Sequence, residues 1–424
     1  MPILESGFTF TSPTMVKVHQ ELRGATLSRN EIRAALAREW ERPEVAGRIR
    51  PGMRIALGVG SRGISNLALV VHTTIEILKA RGANPFIVPA MGSHGGGTSE
   101  GQREVLAAYG ITEASMGVPI DDRMDTVELG EVDGLPVHFS RAAMEADLIV
   151  PVCRVKPHTD FKATIESGYC KMLVIGFGKH RGASTVHRLG MQNFGTVIPK
   201  VATFIRDHAP VGPGVALVEN GHDETALVEI ITPERMLDDE ARLLALAKSY
   251  LPTIGIDPID VLIVDRIGKN ISGAGMDPNV TGRSGTPAEF PDTPTIGRIV
   301  VLGLTEETHG NATGIGLADI ITRRCYEQID WPVTYTNVVT AGSFEAAKIP
   351  MVLDTDQAAL AVALKAALPV DPEQARVVRI PDTLHLETLW VSRPVADELR
   401  SNPRFTVTGE TRTLSFDAAG NLTW

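Results

Sequence analysis

Three polar clusters stand just past three apolar, strand-like runs. Arg54 to Gly60 leads into Gly60-Ser61-Arg62-Gly63. Pro85 to Met91 leads into Gly92-Ser93-His94-Gly95-Gly96-Gly97, and Ala146 to Val155 into Lys156-Pro157-His158-Thr159-Asp160. Arginine is a fork-shaped clamp for carboxylates, and histidine exchanges protons near neutral pH. Glycines beside His94 let the backbone approach a ligand and leave N–H groups to hold an anion. The competing reading, a turn histidine facing solvent, has equal weight on local sequence alone. In open α/β sheets ligands bind outside the carboxyl ends of strands, so three such clusters together point to a site.

A second string, Glu166-Ser167-Gly168-Tyr169-Cys170-Lys171, opens onto the apolar run Met172 to Phe177. A lysine partly withdrawn from water loses proton affinity and becomes a nucleophile. A snorkelling lysine at a strand edge is the structural alternative. His187 follows sixteen residues after Lys171. Histidine is a ligand that nickel and zinc accept, although a lone helical histidine is more often structural. Farther on, Lys269 to Arg283 contains three glycines, one proline and two cations. Such a loop suits an anion in an interdomain cleft, and loops this long are uncommon unless functional or disordered. No GxGxxG appears in its strand-turn-helix setting, and there is no GxxxxGK[ST].

The elements that position these residues alternate between apolar runs and helical patterns, which predicts an α/β fold with largely parallel sheets. The chain has 424 residues, and the segment Pro252-Thr253-Ile254-Gly255-Ile256-Asp257-Pro258 marks a boundary. Two α/β domains follow: residues 1–254 carry Lys171 and the histidines, and residues 255–424 contribute the second loop. In the first, helices are expected over 64–80, from Thr98 or Ser99 to 109, over 196–208 and over 233–251, with a hairpin turning at Asp133-Gly134. In the second, strands are expected over 261–265 and 298–304, helices over 315–328 and 356–368, and a C-terminal hairpin around Ala419-Gly420.

Composition closes off other classes. Hydrophobic residues make up 43% and charged residues 22%, which excludes wholesale disorder. Cys153, Cys170 and Cys325 are too few and scattered for a disulfide framework or a Cys-rich zinc site. The net charge of −10 disfavours nucleic acid as a partner. No run reaches the roughly 18 apolar residues of a membrane span, and the start lacks a secretory-signal pattern. A cytoplasmic protein is expected.

Taken in order, these residues resemble the nickel-dependent lactate racemase family of 2-hydroxyacid racemases and epimerases. That family's pattern has an arginine after the first strand, then Gly-x-His, a second histidine, a lysine after a Ser-Gly turn, and a histidine sixteen residues beyond the lysine. Arg62, Gly92-Ser93-His94, His158, Ser167-Gly168 with Lys171, and His187 fill those places. The resemblance implies that Lys171, beside Ser167 and Gly168, carries a nickel-pincer nucleotide (a pyridinium-3-thioamide-5-thiocarboxylic acid mononucleotide) through a thioamide, with His187 as nickel ligand. It implies His94 and His158 as paired acid/bases and Arg62 as the clamp for the substrate carboxylate. Hydride would leave C2 for the pincer and return to either face. The implied partners are a small 2-hydroxy acid and cofactor-maturation enzymes, with neither nucleic acid nor membrane; self-association into a homo-oligomer stays open.

The sequence also departs from that pattern. The interval from His158 to Lys171 is about three residues longer. Asp277 and Asn279 match the family's Asp-x-Asn core, but Thr281-Gly282-Arg283 stands where the family presents an aromatic, a glutamine and a lysine. The exchange opens space and predicts a bulkier or more polar substrate such as a sugar acid, with Arg283 or Lys269 supplying positive charge. A non-catalytic protein of the same fold, binding an anionic metabolite or the cofactor, is the alternative. A zinc hydrolase lacks a carboxylate arrangement to support it.

Overall fold

The structure is a computed structural model, and it describes residues 12–60, 63–367 and 371–424. Arg62 and Ser61 lie outside the described residues. The chain divides into two compact units, Arg23–Leu251 and a unit joining the residues up to Leu22 to Pro252–Trp424. Both are α/β with sheets that are largely parallel, as the alternation of patterns predicts.

In Arg23–Leu251, five strands run in the order Asn84–Pro89, Arg54–Val59, Leu148–Arg154, Gly214–Glu219 and Thr225–Ile231. All neighbours are parallel except the last pair. Side chains alternate between faces with the period of two that a strand imposes. Ile55, Leu57, Val59, Val150, Val152, Val215 and Leu217 pack with the helices Arg29–Trp40 and Leu67–Ala80. Ala56, Phe86, Val88, Ile149, Ala216 and Val218 face the other way, with Tyr169, Phe177 and the helices Phe194–His208 and Met236–Tyr250. Both faces are covered, so the strands read as continuous apolar runs. From Arg54–Val59 the chain goes to Asn84–Pro89 on one side, then returns to Leu148–Arg154 on the other. The strand order therefore reverses between Arg54–Val59 and Leu148–Arg154, and a crevice opens outside the carboxyl ends of such strands.

Most of the expected helices are present. Thr98 caps Ser99–Ala108 by accepting the Gly101 N–H, and the Asp133-Gly134 turn joins the strands Thr126–Val132 and Leu135–Ser140. The apolar run after Lys171 is helical and not a strand: a turn at Tyr169–Lys171, a π-turn at Met172–Gly176 and a helix at Lys179–His187. The five-stranded sheet is already complete, so this run caps its face instead. Phe177, stacked on Phe139 with centroids 5.2 Å apart, presses onto the sheet where Gly58 leaves room.

The other unit holds eight strands in the order Met351–Leu353, Ile320–Thr322, Ile296–Val301, Ile259–Val264, Val377–Ile380, Thr388–Ser392, Thr14–Gln20 and Phe405–Thr413. The first five are mutually parallel and the remaining pairings antiparallel. The expected start of the first domain at residue 1 is corrected here: Thr14–Gln20 pairs with strands some 370 and 390 residues away, and no local pattern names so distant a partner. The expected helix 315–328 is likewise corrected. Ile320–Thr322 is β-branched throughout and enters the sheet between Ile296–Val301 and Met351–Leu353, leaving a 3-10 turn at Ile315–Leu317 and an α-helix at Arg323–Glu327. The C-terminal hairpin is present and short: Phe416 bridges Leu422, the Thr423 N–H donates to Ser415 O at 3.0 Å and the Asp417 N–H to Asn421 O at 2.9 Å. Among the described residues no helix is long and apolar enough to cross a membrane.

A Cβ at Gly58 would lie 2.1 Å from Phe177 Cζ. Gly58→Ala is expected to lower unfolding free energy by about 1–3 kcal/mol, the cost of overpacking, and Phe177→Leu in the same chain to recover part of it. Urea denaturation reads both; an undiminished midpoint for Gly58→Ala would contradict the close approach.

Candidate active site

His158 lies on the loop leaving Leu148–Arg154, at the strand-order reversal. The loop closes on itself where the Lys156 N–H donates to Ser167 O at 3.0 Å. Inside it, the fully buried carboxylate of Glu166 accepts the His158 N–H at 2.7 Å and the Ala163 N–H at 3.2 Å. Lys162 Nζ donates to His158 O at 3.0 Å. These bonds satisfy backbone groups that a bare loop would leave unpaired. His158 Nε2 lies 2.6 Å from Lys171 Nζ, and both side chains are half-buried. Ser167 Oγ is 3.4 Å from the same Nζ.

The other ring nitrogen has a partner of its own: the Asp160 N–H donates to His158 Nδ1 at 3.0 Å. A neutral imidazole whose Nδ1 accepts carries its proton on Nε2.

The turn bearing Lys171 is pinned from below. Tyr169 Oη donates to Gly212 O at 2.6 Å, and the Cys170 N–H to Glu240 Oε2 at 2.7 Å. Gly168 permits the approach of Glu240, whose Oε1 would lie 2.6 Å from a Cβ there. Glu240 is fully buried. Loss of solvation pushes its carboxyl up to about 7, against the pull of the Cys170 N–H, the Cys170 thiol and the Tyr169 N–H. Burial also pushes the Cys170 and Cys153 thiols well above their usual range, so neither is a thiolate nucleophile.

His94 is exposed, on the loop after Asn84–Pro89. The buried side chain of Gln102 donates to Gly92 O at 2.9 Å and to His94 O at 3.2 Å. The Gly92 N–H donates to Gly176 O at 3.2 Å, and buried Lys179 Nζ donates to Pro89 O at 2.7 Å. The His94 loop is thus tied to the Lys171 segment at two points. Burial holds Lys179 down at about 8, opposed by Asp121, Asp122 and Asp125. His187 ends the helix Lys179–His187, open to solvent on one side and packed edge-on to Phe194 on the other, centroids 5.1 Å apart. Phe194 meets Phe161 at 5.6 Å, and Phe161 meets His158 at 4.5 Å, so two phenyl rings connect the two imidazoles. Loss of solvation and, after it, the charge of Lys171 hold His187 below the ordinary histidine value. A neutral imidazole is the form that binds a metal.

In the other unit, Lys269 Nζ donates to Gly273 O at 2.5 Å and to Asn337 Oδ1 at 2.9 Å, ordering its own loop. Arg283 forms an ion pair with Asp319 at 2.7 Å and donates to Leu317 O and Ile296 O. That guanidinium anchors the loop to the sheet. Asp277 caps Pro278–Thr281 through the Asn279 N–H, giving the Asp-x-Asn core a structural task.

The chain is thus a two-unit α/β protein with a lysine–histidine pair at a strand-order reversal. A family described as a domain of unknown function, DUF362, matches residues 61–230, a span that includes His94, His158, Lys171 and His187. The lactate racemase apoprotein from Thermoanaerobacterium thermosaccharolyticum superposes with a TM-score of 0.53 at 12% identity, covering 87% of this chain and 98% of that one. A structural-genomics protein from Thermotoga maritima superposes with a TM-score of 0.50 at 14% identity, covering 86% and 98%. No curated protein matches the sequence significantly. The chain has the lactate racemase fold, in divergent form.

Sequence reasoning did not single out Glu166, Glu240 or Lys179 as functional. All three are charged residues beside apolar runs, and burying a charge is costly unless it has a task. Between the ordinary value of 4.5 and about 7, folded Glu240 holds a proton that the unfolded chain releases. Its contribution to stability therefore falls as pH rises through that window. Glu240→Gln is expected to stabilise the protein relative to the parent by an amount that grows across the window, up to a few kcal/mol at about 1.4 kcal/mol per unit. Thermal unfolding against pH checks this; a difference independent of pH would contradict it.

Proposed function

We propose that this protein is an isomerase, a racemase or epimerase acting at C2 of a 2-hydroxy acid, with Lys171 as the covalent anchor of a nickel-pincer nucleotide. One observation supports it above the others: the Lys171 amine lies 2.6 Å from His158 Nε2, on the loop leaving the strand Leu148–Arg154.

The residues present fit such a group. Among the described residues no three His, Cys, Asp or Glu side chains gather to hold a metal ion. A metal bound through His187 would then take its other ligands from the nucleotide. Lys171 would hold that nucleotide, beside Ser167 and Gly168, and His187 the nickel. When bound, the group supplies a hydride acceptor for C2.

The chain's own part is proton handling and binding. Acylation of Lys171 would remove its basic lone pair and release His158 Nε2 toward the substrate. His158 Nε2 is proposed to take the C2 hydroxyl proton as the planar 2-keto acid forms and, as the resulting imidazolium, to return it to the carbonyl oxygen. The ring would enter that cycle in its Nδ1–H form, for which the Asp160 carboxylate, 3.6 Å away, stands within reach as acceptor. His94 is proposed as the partner acid/base for the other enantiomer, since inversion requires a proton carrier for each face. Arg62 is proposed to clamp the carboxylate. Substrate contact by Lys269 rests on the sequence resemblance, and Arg283 is assigned to its loop.

The test is a panel of single-enantiomer 2-deuterio-2-hydroxy acids with the nickel-loaded protein, read by chiral chromatography and mass spectrometry. Inversion with deuterium retained at C2 is expected, and Lys171→Ala should abolish it. His94→Gln and His158→Gln should each lower net inversion by 10²-fold or more, within the usual range for general acid–base groups. Binding of an acid without inversion would make this a binding protein, and inversion with deuterium lost to water would contradict hydride transfer.

A further inference from the structure

We infer that Glu166 is a positioning residue that sets the tautomer of His158. Its carboxylate is fully buried within the loop and grips both ends of the 158–163 turn, Oε2 on the His158 N–H at 2.7 Å and Oε1 on the Ala163 N–H at 3.2 Å. Lys248, from the helix Met236–Tyr250, approaches Oε1 at 2.6 Å, and Lys162 approaches Oε2 at 3.5 Å. Two amides and two ammonium groups thus converge on one carboxylate.

The consequence lies at the middle of the gripped turn. With residues 158 and 163 fixed, the Asp160 amide is turned inward and its N–H reaches His158 Nδ1 at 3.0 Å. That N–H cannot face a protonated Nδ1, so the ring proton is placed on Nε2, toward Lys171. Groups facing the ring include the Asp160 carboxylate at 3.6 Å from Nδ1, Lys171 at Nε2 and the phenyl ring of Phe161. The backbone amide selects the Nε2–H form, whereas a carboxylate closing on Nδ1 would select the other. Glu166 acts through the turn that it holds.

Glutamine is the informative replacement. One carboxamide oxygen can accept one of the two N–H groups, and the NH₂ then confronts the other as donor against donor. The role of Glu166 bears on the proposed proton transfer, but its test needs no cofactor, substrate or turnover, so its failure would leave the anchor assignment of Lys171 standing. The experiment is ¹⁵N NMR of the apoprotein labelled at histidine, with the His158 signals assigned from their loss in His158→Gln. The parent is expected to show His158 Nδ1 as an unprotonated acceptor and Nε2 as protonated. Glu166→Gln is expected to reduce the Nε2–H excess about fivefold or more, the equilibrium worth of about one hydrogen bond. If Glu166→Gln does not fold, Lys248→Met, on the more exposed side of the cluster, should give a smaller shift in the same direction. A tautomer ratio unchanged in the folded variants, or a parent ring protonated on Nδ1, would overturn the inference.

Discussion

The arrangement depends on one hydrogen bond, between His158 Nε2 and Lys171 Nζ at 2.6 Å. Lysine is ordinarily a solvated cation that donates to its neighbours and attacks nothing. Here it lies against an imidazole whose other nitrogen is occupied by a backbone N–H. The structure therefore places an amine and an imidazole together beyond the carboxyl end of a parallel strand.

Holding that bond takes much of the unit around it. Tyr169 and Glu240 fix the turn of Lys171, Glu166 fixes the loop of His158, and Phe177 fixes the intervening π-turn against Gly58. The five-stranded sheet underneath is covered on both faces and supplies a rigid base. The reversal in strand order then leaves the end of Leu148–Arg154 accessible where a ligand can enter. Precision at the site comes from these buried polar contacts, which lose their worth if the groups move by even an ångström.

Much of this was readable in the sequence because it is local. The runs Arg54–Val59, Asn84–Pro89 and Leu148–Arg154 are apolar and close to their polar ends, so strands and clusters were found together. What failed was non-local or ambiguous. Thr14–Gln20 finds its partners at the far end of the chain, and Met172–Gly176 is equally apolar as strand or helix until the sheet it covers is seen. The ion pair of Arg283, expected with Lys269 to offer charge to a substrate, was not legible because Asp319 is 36 residues distant. Glu166 was visible as a letter beside Ser167-Gly168, but its task is defined by amides three and eight residues upstream and by Lys248 on another helix.

The most direct test of the central claim is to locate the covalent group. The protein is produced with and without cofactor-maturation enzymes, and intact and peptide masses are compared. A mass increment confined to the peptide bearing Lys171, present only with the maturation enzymes and absent from Lys171→Arg, is the result this structure predicts. A nickel-containing, active protein whose Lys171 peptide remains unmodified would contradict it.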